Sequence, residues 1–134
     1  MHINIQTIPH SEQRYPTVGD WTFDDNGDLT IRISAMPDPK YEFLIAVHEL
    51  IEAGLCQHAR VLQSDVDFFD FHYDGDDEAG DSPEAPYKRQ HCIATGVERL
   101  LAAELKVDWA TYEKDLDKLW STTKARNSDN IEQS

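Results

Sequence analysis

Apolar and polar residues alternate in the first third of the chain, which predicts short β-strands. Both Trp21-Thr22-Phe23 and Leu29-Thr30-Ile31-Arg32-Ile33 alternate, and Asp25-Asn26-Gly27-Asp28 lies between them. An Asn-Gly pair between two alternating runs is typical of a β-hairpin. A further short strand is predicted at Ile3-Asn4-Ile5. We therefore expect a small N-terminal antiparallel hairpin or sheet.

The next pattern is a long apolar stretch that predicts a helix. Asp38 followed by Pro39 is typical of a helix start, because Asp caps the free N–H groups and Pro fits the first turn. The helix is expected from Lys40 to about Arg60. Since it is mostly apolar around its whole girth, we expect it to be buried.

Three further helices complete the predicted secondary structure. Their expected limits are Ser64, as the capping residue, to about Tyr73; Pro86 to Leu105; and Trp109, after the capping residue Asp108, to about Lys124. In the second of these, core spacing is found at Ile93, Val97, Leu100 and Leu101. The predicted fold class is α+β, with the small sheet packed on a bundle of about four helices. We expect one domain over 1–126 and a polar, disordered tail at 127–134.

Charge is concentrated in one part of the chain. The 134 residues include 26 Asp+Glu and 12 Lys+Arg, which gives a net charge of −14. Nine of the acids and no Lys or Arg lie in 61–84, so this segment supplies −9 of the total. Its centre, 74–81, is rich in Asp and Gly and predicts a solvated loop, called here the acidic loop. This charge argues against direct nucleic-acid binding, because phosphates would be repelled.

Membrane insertion and export are not expected from the sequence. No apolar run approaches the roughly 18 residues that a membrane-spanning helix needs, and no basic-then-apolar segment opens the chain. A cytoplasmic protein without membrane partners is therefore predicted. We expect the two cysteines, Cys56 and Cys92, to be free thiols.

The first long helix carries the pattern His-Glu-x-x-Glu at His48-Glu49-Leu50-Ile51-Glu52. Residues four apart lie on one helical face about 6 Å apart, so His48 and Glu52 could bind one divalent metal such as zinc. Glu49 is rotated by about 100°, which can aim its carboxylate at a water on the metal as the catalytic base. Because ionisable side chains on a buried stripe are costly unless paired or coordinated, this position favours a metal site.

A third metal ligand is expected from another helix. His91 is the first choice, with Thr95 or Glu98 on the same helical face able to hold its imidazole. Asp70 is the second choice, and Asp67 lies one turn before it.

Strands followed by His-Glu-x-x-Glu on a helix resemble a minimal zincin, the zinc metallopeptidase-like fold. The resemblance implies a zincin-like active-site helix, a metallopeptidase-type hydrolase with a peptide or other small hydrolysable substrate, and an edge strand for extended substrate, here Leu29 to Ser34. Zincins usually have a second His where this chain has Glu52, and their downstream ligand pattern with its glycine is absent here.

Four segments are together similar to short, uncharacterised phage-encoded proteins. They are 48–53, 69–70, 85–91 and 98–105, and the resemblance spans roughly 20–112. It implies a phage or prophage origin, and hence the cytoplasm of a bacterial host.

Two other functions remain open at the level of the sequence. Glu49-x-x-Glu52 followed by Asp67-x-x-Asp70 resembles the carboxylates that hold magnesium in all-α nucleotide pyrophosphatases, with Lys88 and Arg89 available for phosphates. The N-terminal hairpin has no place in that fold. Alternatively, the charge at 65–84 could imitate nucleic acid, so that a non-enzymatic phage protein inhibits a host DNA-binding protein. Exposed residues of the last helix could serve a homodimer.

Overall fold

The computed structural model describes residues 1–132, with side chains through residue 120. The strands are β1 (Ile3–Ile8), β2 (Gly19–Phe23) and β3 (Leu29–Ser34), and the helices are α1 (Pro39–His58), α2 (Gln63–His72), α3 (Lys88–Glu104) and α4 (Trp109–Glu132). Short 3-10 turns lie at His10–Glu12 and Ala79–Asp81. A small sheet with four helices confirms the predicted α+β class.

The three strands form a mixed sheet in the order β1-β3-β2. β2 and β3 are antiparallel, as the hairpin pattern predicts, and Gly27 adopts the positive φ of 80° that the turn requires. β1 pairs with β3 in parallel, so the expectation of a purely antiparallel sheet is wrong. Alternation predicts which face of a strand is buried, but it carries no information on strand direction.

The position of β3 also corrects the expected substrate strand. Leu29 to Ser34 is the central strand, paired on both sides, and the edges of the sheet are β1 and β2. The edge strand in contact with α1 is β2, because Trp21 of β2 donates a hydrogen bond to Glu52 of α1.

The core lies between one face of the sheet and the helices. β3 contributes every second residue, and Leu29, Ile31 and Ile33 are almost fully buried. Leu44 and Cys56 of α1 pack in the same cluster. Burial of these apolar side chains fixes α1 across the sheet, and α1 carries the candidate site.

The start of α1 is as predicted, but its burial is one-sided. Asp38 Oδ1 accepts a hydrogen bond from the Lys40 backbone N–H at 2.9 Å, and Pro39 is the first helical residue. Phe43 and Leu50 are 50% and 36% exposed, so the expectation of burial around the whole girth is wrong. The two faces differ because the sheet and α3 cover only one side of α1.

Of the capping predictions for α2 and α4, the first is wrong and the second is confirmed. Leu62 occupies the cap position of α2 and provides no side-chain hydrogen bond, so the predicted cap by Ser64 is wrong. Asp108 caps α4 as predicted, since its Oδ2 accepts from the Thr111 backbone N–H at 2.9 Å. α4 continues past the predicted end near Lys124 to Glu132, which includes part of the predicted tail; residues 133–134 lie outside the described part.

The buried face of α3 differs from the predicted one. The buried residues are His91, Ala94, Glu98 and Ala102. By contrast, Ile93 is 43% and Leu100 71% exposed, and Val97 and Leu101 are partly buried. Apolar spacing alone selects the wrong phase, because the core-facing positions of this helix hold ionisable residues that pair with α1 and alanines that allow close approach.

This phase can be tested with two substitutions on α3. Leu100→Ala is expected to change the free energy of unfolding by less than about 0.5 kcal/mol, as for an exposed residue. Ala102→Leu is expected to cost about 1–3 kcal/mol, because Ala102 is only 1% exposed and the larger side chain has no space. Urea unfolding of both variants measures this, and the reverse order of effects would restore the phase predicted from apolar spacing.

Two expectations on the whole chain can be compared with the structure. Cys56 is buried and Cys92 exposed, and both are free thiols as predicted. Among the described residues, none of the helices has the length and apolar character needed to cross a membrane.

Candidate metal centre

α1 and α3 bring the His-Glu-x-x-Glu segment against His91. Glu52 Oε2 lies 3.0 Å from His48 Nε2 and 3.0 Å from His91 Nδ1, so one carboxylate oxygen contacts both imidazoles. All three residues are at most 5% exposed. The structure therefore brings together three of the four predicted ligands.

The other nitrogen of each imidazole also faces a carboxylate. His48 Nδ1 lies 2.8 Å from Glu98 Oε1, and His91 Nε2 lies 3.1 Å from Asp81 Oδ1. The five side chains form one line, in the order Glu98, His48, Glu52, His91 and Asp81. Each imidazole is thus fixed in position and orientation from both sides.

Two neutral donors complete this line of five side chains. The Trp21 indole donates to Glu52 Oε1 at 3.0 Å, and the Tyr112 hydroxyl donates to Glu98 Oε2 at 2.6 Å. Tyr112 is fully buried, and its pKa is raised by burial and then by the charge of Glu98. These donors satisfy the carboxylate oxygens that point away from the imidazoles, which a buried carboxylate requires.

Without a metal, both imidazoles are held in the protonated form. Burial alone lowers the pKa of His48, but hydrogen bonds to Glu52 and Glu98 outweigh it and raise the pKa well above its usual value. The same balance, with Asp81 and Glu52 as acceptors, raises the pKa of His91 to about 10. Burial raises the pKa of Glu52, yet hydrogen bonds from both imidazoles lower it to about 2. Carboxylates and imidazolium groups therefore alternate along the line.

Glu78, from the acidic loop, approaches the same two imidazoles. One oxygen of Glu78 and one nitrogen each of His48 and His91 lie within 4.8 Å of one another. Glu78 is exposed as a residue, but its carboxylate end lies in the cavity beside the imidazoles, where burial raises its pKa. This arrangement adds a fourth group that could hold a metal.

Glu49, the predicted base, faces the same cavity. It is half-buried, and among the described residues its carboxylate has no hydrogen-bond donor. Burial, followed by the charge of Glu52, raises its pKa well above the usual value. Its side chain packs close to the backbone of Gly19, where an added Cβ would lie 2.7 Å from Glu49 Oε1. The close strand leaves the carboxylate directed at the cavity.

Asp70, the alternative ligand, lies in the same cavity but has other partners. Its Oδ2 accepts from the Tyr15 hydroxyl at 3.1 Å and its Oδ1 from the Tyr87 hydroxyl at 2.5 Å. Neither Asp70 nor Glu52 belongs to the His48, Glu78 and His91 group of close ligand atoms, but Glu52 contacts both imidazoles and Asp70 contacts neither. Asp67 forms an ion pair with Arg14 at 3.1 Å.

We expect the Asp70→Asn variant to be more stable than the wild type above neutral pH. Burial raises the pKa of Asp70 from 3.8 to about 7, against the effect of the two tyrosine hydrogen bonds. Between these pH values the folded protein keeps a proton that the unfolded chain has lost, so stability falls as pH rises. The variant should therefore melt higher than the wild type at pH 8, with a smaller difference at pH 4. Thermal unfolding at both pH values measures this, and a pH-independent difference would contradict it.

A cavity of about 100 Å³ is lined by the ionisable side chains of the site, namely His48, Glu49, Glu52, Asp70, Glu78, His91 and Glu98. Tyr87 and residues of α4 including Trp120 also line the cavity. Among the described residues that line it, there is no Lys or Arg. The cavity can therefore admit a small molecule to the histidine cluster. Because no cationic Lys or Arg side chain is in its described lining, molecules without negative charge are favoured.

Sequence reasoning found the centre of the site but not its surroundings. Glu78 and Asp81 were expected in a solvated loop, and the 3-10 turn at Ala79–Asp81 instead places both against the imidazoles. Glu98 was expected to hold His91, but it contacts His48. Residues 91 and 98 are seven apart on α3, which is about 10.5 Å along the helix, so their side chains cannot meet. A loop has no periodicity, so no signal in the sequence could assign its acids to the site.

Comparison with known proteins leaves the site to be interpreted from its own geometry. No protein-family model, curated protein or solved structure shows a significant match to the chain. The resemblance to zincins and to phage-encoded proteins therefore stays a prediction.

Proposed function

We propose that the protein is a metal-dependent hydrolase with one zinc ion bound by His48, His91 and Glu52. The observation that carries this proposal is the arrangement of the two imidazoles. One nitrogen of each contacts the same oxygen of Glu52, and the other is fixed by Glu98 or Asp81. Carboxylates that orient metal-bound histidines from behind are typical of zinc sites.

The donor set fits zinc in both chemistry and spacing. Two imidazole nitrogens with carboxylate oxygens suit zinc, whereas magnesium prefers oxygen ligands alone. Zinc with bonds of about 2.0–2.2 Å places its ligand atoms roughly 3.3–3.6 Å apart. The 3.0 Å separations at Glu52 are close to this spacing, whereas the ligand atoms of His48, Glu78 and His91, which lie within 4.8 Å of one another, would have to move closer around an ion. Glu78 is the fourth protein group within reach.

A zinc ion would supply a Lewis acid and lower the pKa of water at the site to near 7. The chain itself would supply the base. Glu49 is next to His48 in sequence, lies in the cavity and has no competing donor among the described residues. It can therefore take a proton from an attacking water and return it to the leaving group. An ion network with only a structural role would not require Glu49 and Glu78 at the same cavity.

The alternatives receive less support from the same geometry. A pyrophosphatase needs cations for phosphates, but Lys88 donates to the Asp81 backbone carbonyl, and no Lys or Arg lines the described cavity. Asp67 is paired with Arg14. For the protein that imitates nucleic acid, the loop carboxylates are exposed as that function requires, but two of them, Glu78 and Asp81, also approach the histidines, which that function does not explain.

Zinc titration of matched histidine variants tests the proposal. Wild type should bind one zinc by calorimetry, and His48→Ala should lose this binding because a direct ligand is removed. His58→Ala is the matched control, since His58 lies in the last turn of the same helix and is exposed. Zinc bound equally well by all three proteins would contradict the proposed site.

A further inference from the structure

We infer that the substrate of this site carries a protonated amino group, which enters the cavity and binds Asp70. The amine belongs to a small molecule or to the amino end of a peptide, and an internal segment of a polypeptide is excluded. This inference rests on the proposed hydrolase function, because it assigns a substrate class to the same cavity. Its basis is the closed edge of β2, the charge of the cavity wall and the partners of Asp70.

The edge of β2 is closed to an extended chain. Even-numbered residues of this strand point their backbone groups at β3, as the bond from the Ser34 N–H to the Val18 carbonyl shows, and odd-numbered residues point away. The Phe23 N–H donates to Gln63 Oε1 at 2.7 Å, and the backbone N–H and carbonyl of Gly19 both bond to the Thr17 hydroxyl. Outward groups of β2 without a partner in the described structure are thus those of Trp21 and the Phe23 carbonyl, whereas strand addition needs several consecutive main-chain bonds.

Helix α2, which carries Gln63, is fixed beside β2 by ion pairs of Arg14. Arg14 bonds to Asp20 of β2 at 2.7 Å and to Asp67 of α2 at 3.1 Å. The two ion pairs thereby hold α2 beside β2, so that Gln63 stays in position to accept from the Phe23 N–H. The remaining entrance is the cavity, and its volume of about 100 Å³ is below the roughly 300–1,000 Å³ of typical ligand pockets. It can receive a small molecule or a chain end.

The cavity wall holds several carboxyl groups and, among the described residues, no Lys or Arg. Its described carboxylates are Glu49, Glu52, Asp70, Glu78, Glu98 and Asp117. Burial raises the pKa of Glu49, Asp70 and Glu78, so these groups carry less than full charge, and the two imidazoles or a zinc ion bound to them offset part of the rest. A low-dielectric cavity lined by one sign of charge concentrates ligands of the opposite sign, so an ammonium group is favoured and a phosphate or carboxylate is repelled.

Asp70 is the carboxylate placed to bind the amine. A carboxylate has about four lone-pair positions, and the recorded donors to Asp70 are two neutral phenols, from Tyr15 and Tyr87. Burial without a cationic partner raises its pKa to about 7, and an ammonium group would return it to the ionised form.

Tryptophan indole N–H signals can report occupancy of the cavity without any activity. Trp120 lines the cavity, with its indole bonded to the Pro16 carbonyl, whereas the Trp109 indole bonds to Glu113 on the surface. The probes are alanine amide, trialanine amide, N-acetylalanine amide and N-acetylalanine, titrated at pH 7 into zinc-loaded and zinc-free protein. We expect the amines to shift the Trp120 signal saturably and leave Trp109 unchanged, with the neutral and anionic probes roughly tenfold weaker or more.

Substitution of Asp70 gives the second arm. Asp70→Asn should weaken alanine amide binding roughly tenfold or more while zinc binding is retained. Asp65→Asn, the same change on the exposed first turn of α2, should have no such effect. Binding of alanine amide alone identifies a small amine, and binding of both amines identifies a peptide amino end.

Three results would overturn the inference: saturable binding of none of the probes, equal binding of the acetylated probes, or unchanged amine binding by Asp70→Asn. Failure of the proposed function is recognised separately, because zinc binding is titrated on the same samples. Amine binding without zinc binding would contradict only the metal site.

Discussion

Glu52→Gln is expected to weaken zinc binding by more than about 100-fold, since loss of an outer-shell partner alone costs about 10–100-fold. Among the side chains that the structure describes, Glu52 alone forms hydrogen bonds with both imidazoles, and its second oxygen accepts from the Trp21 indole. Glutamine keeps the shape but removes the negative charge that a zinc ligand supplies. Competition with a coloured zinc chelator measures the affinity.

The matched control for this variant is Glu49→Gln, three residues earlier on the same helix. It removes the same charge, but Glu49 is assigned as a base and not as a ligand. We therefore expect zinc affinity to stay within about threefold, well below the loss expected for an orienting residue, while any hydrolytic activity is lost. Equal losses of affinity in both variants would mean that zinc responds to the charge of the cavity and not to Glu52 as a ligand.

Gly80→Ala is expected to disrupt the site from the backbone side. An added Cβ would lie 2.4 Å from His91 Nδ1, closer than such atoms approach, so the imidazole must move away from Glu52. Overpacking of this kind costs about 1–3 kcal/mol of folding stability. Urea unfolding in the presence of a chelator should measure this loss of stability. Zinc binding should be weaker by at least about tenfold, as for other changes that disturb ligand orientation.

Gly96→Ala provides the control for this substitution. Gly96 is inside α3, and an added Cβ would meet no atom within 4 Å. Replacement of an unhindered helical glycine by alanine stabilises by about 0.5–1 kcal/mol, so this variant should be slightly more stable with unchanged zinc affinity. Unchanged zinc affinity and increased stability in Gly80→Ala would contradict the close packing of the 3-10 turn on His91.

The parts of the structure that sequence predicted well are those with a local physical cause. The β2–β3 hairpin follows from alternation around Asn26-Gly27, and the start of α1 follows from Asp38 and Pro39. His48 and Glu52 could be placed on one buried face because helical spacing fixes their separation.

The parts that sequence missed depend on how distant segments meet. Glu98 was assigned to His91, which is two turns or about 10.5 Å away on the same helix, whereas its partner His48 is on α1 and is brought to it only by packing. The phase of α3 was wrong because ionisable residues occupy its core face, where apolar spacing expects Ile93 and Leu100. Glu78 has no pattern of its own, and only the folded loop brings it to the histidines.

Zinc-edge anomalous diffraction from crystals of the zinc-loaded protein tests the central claim most directly. We expect a single strong peak between His48 Nε2 and His91 Nδ1, about 2.0–2.2 Å from these atoms and from a carboxylate oxygen of Glu52. Glu98 and Asp81 should remain bonded to the outer nitrogens of the imidazoles. A peak confined to the exposed carboxylates of the acidic loop, or no peak while the line from Glu98 to Asp81 stays intact, would contradict the proposed metal centre.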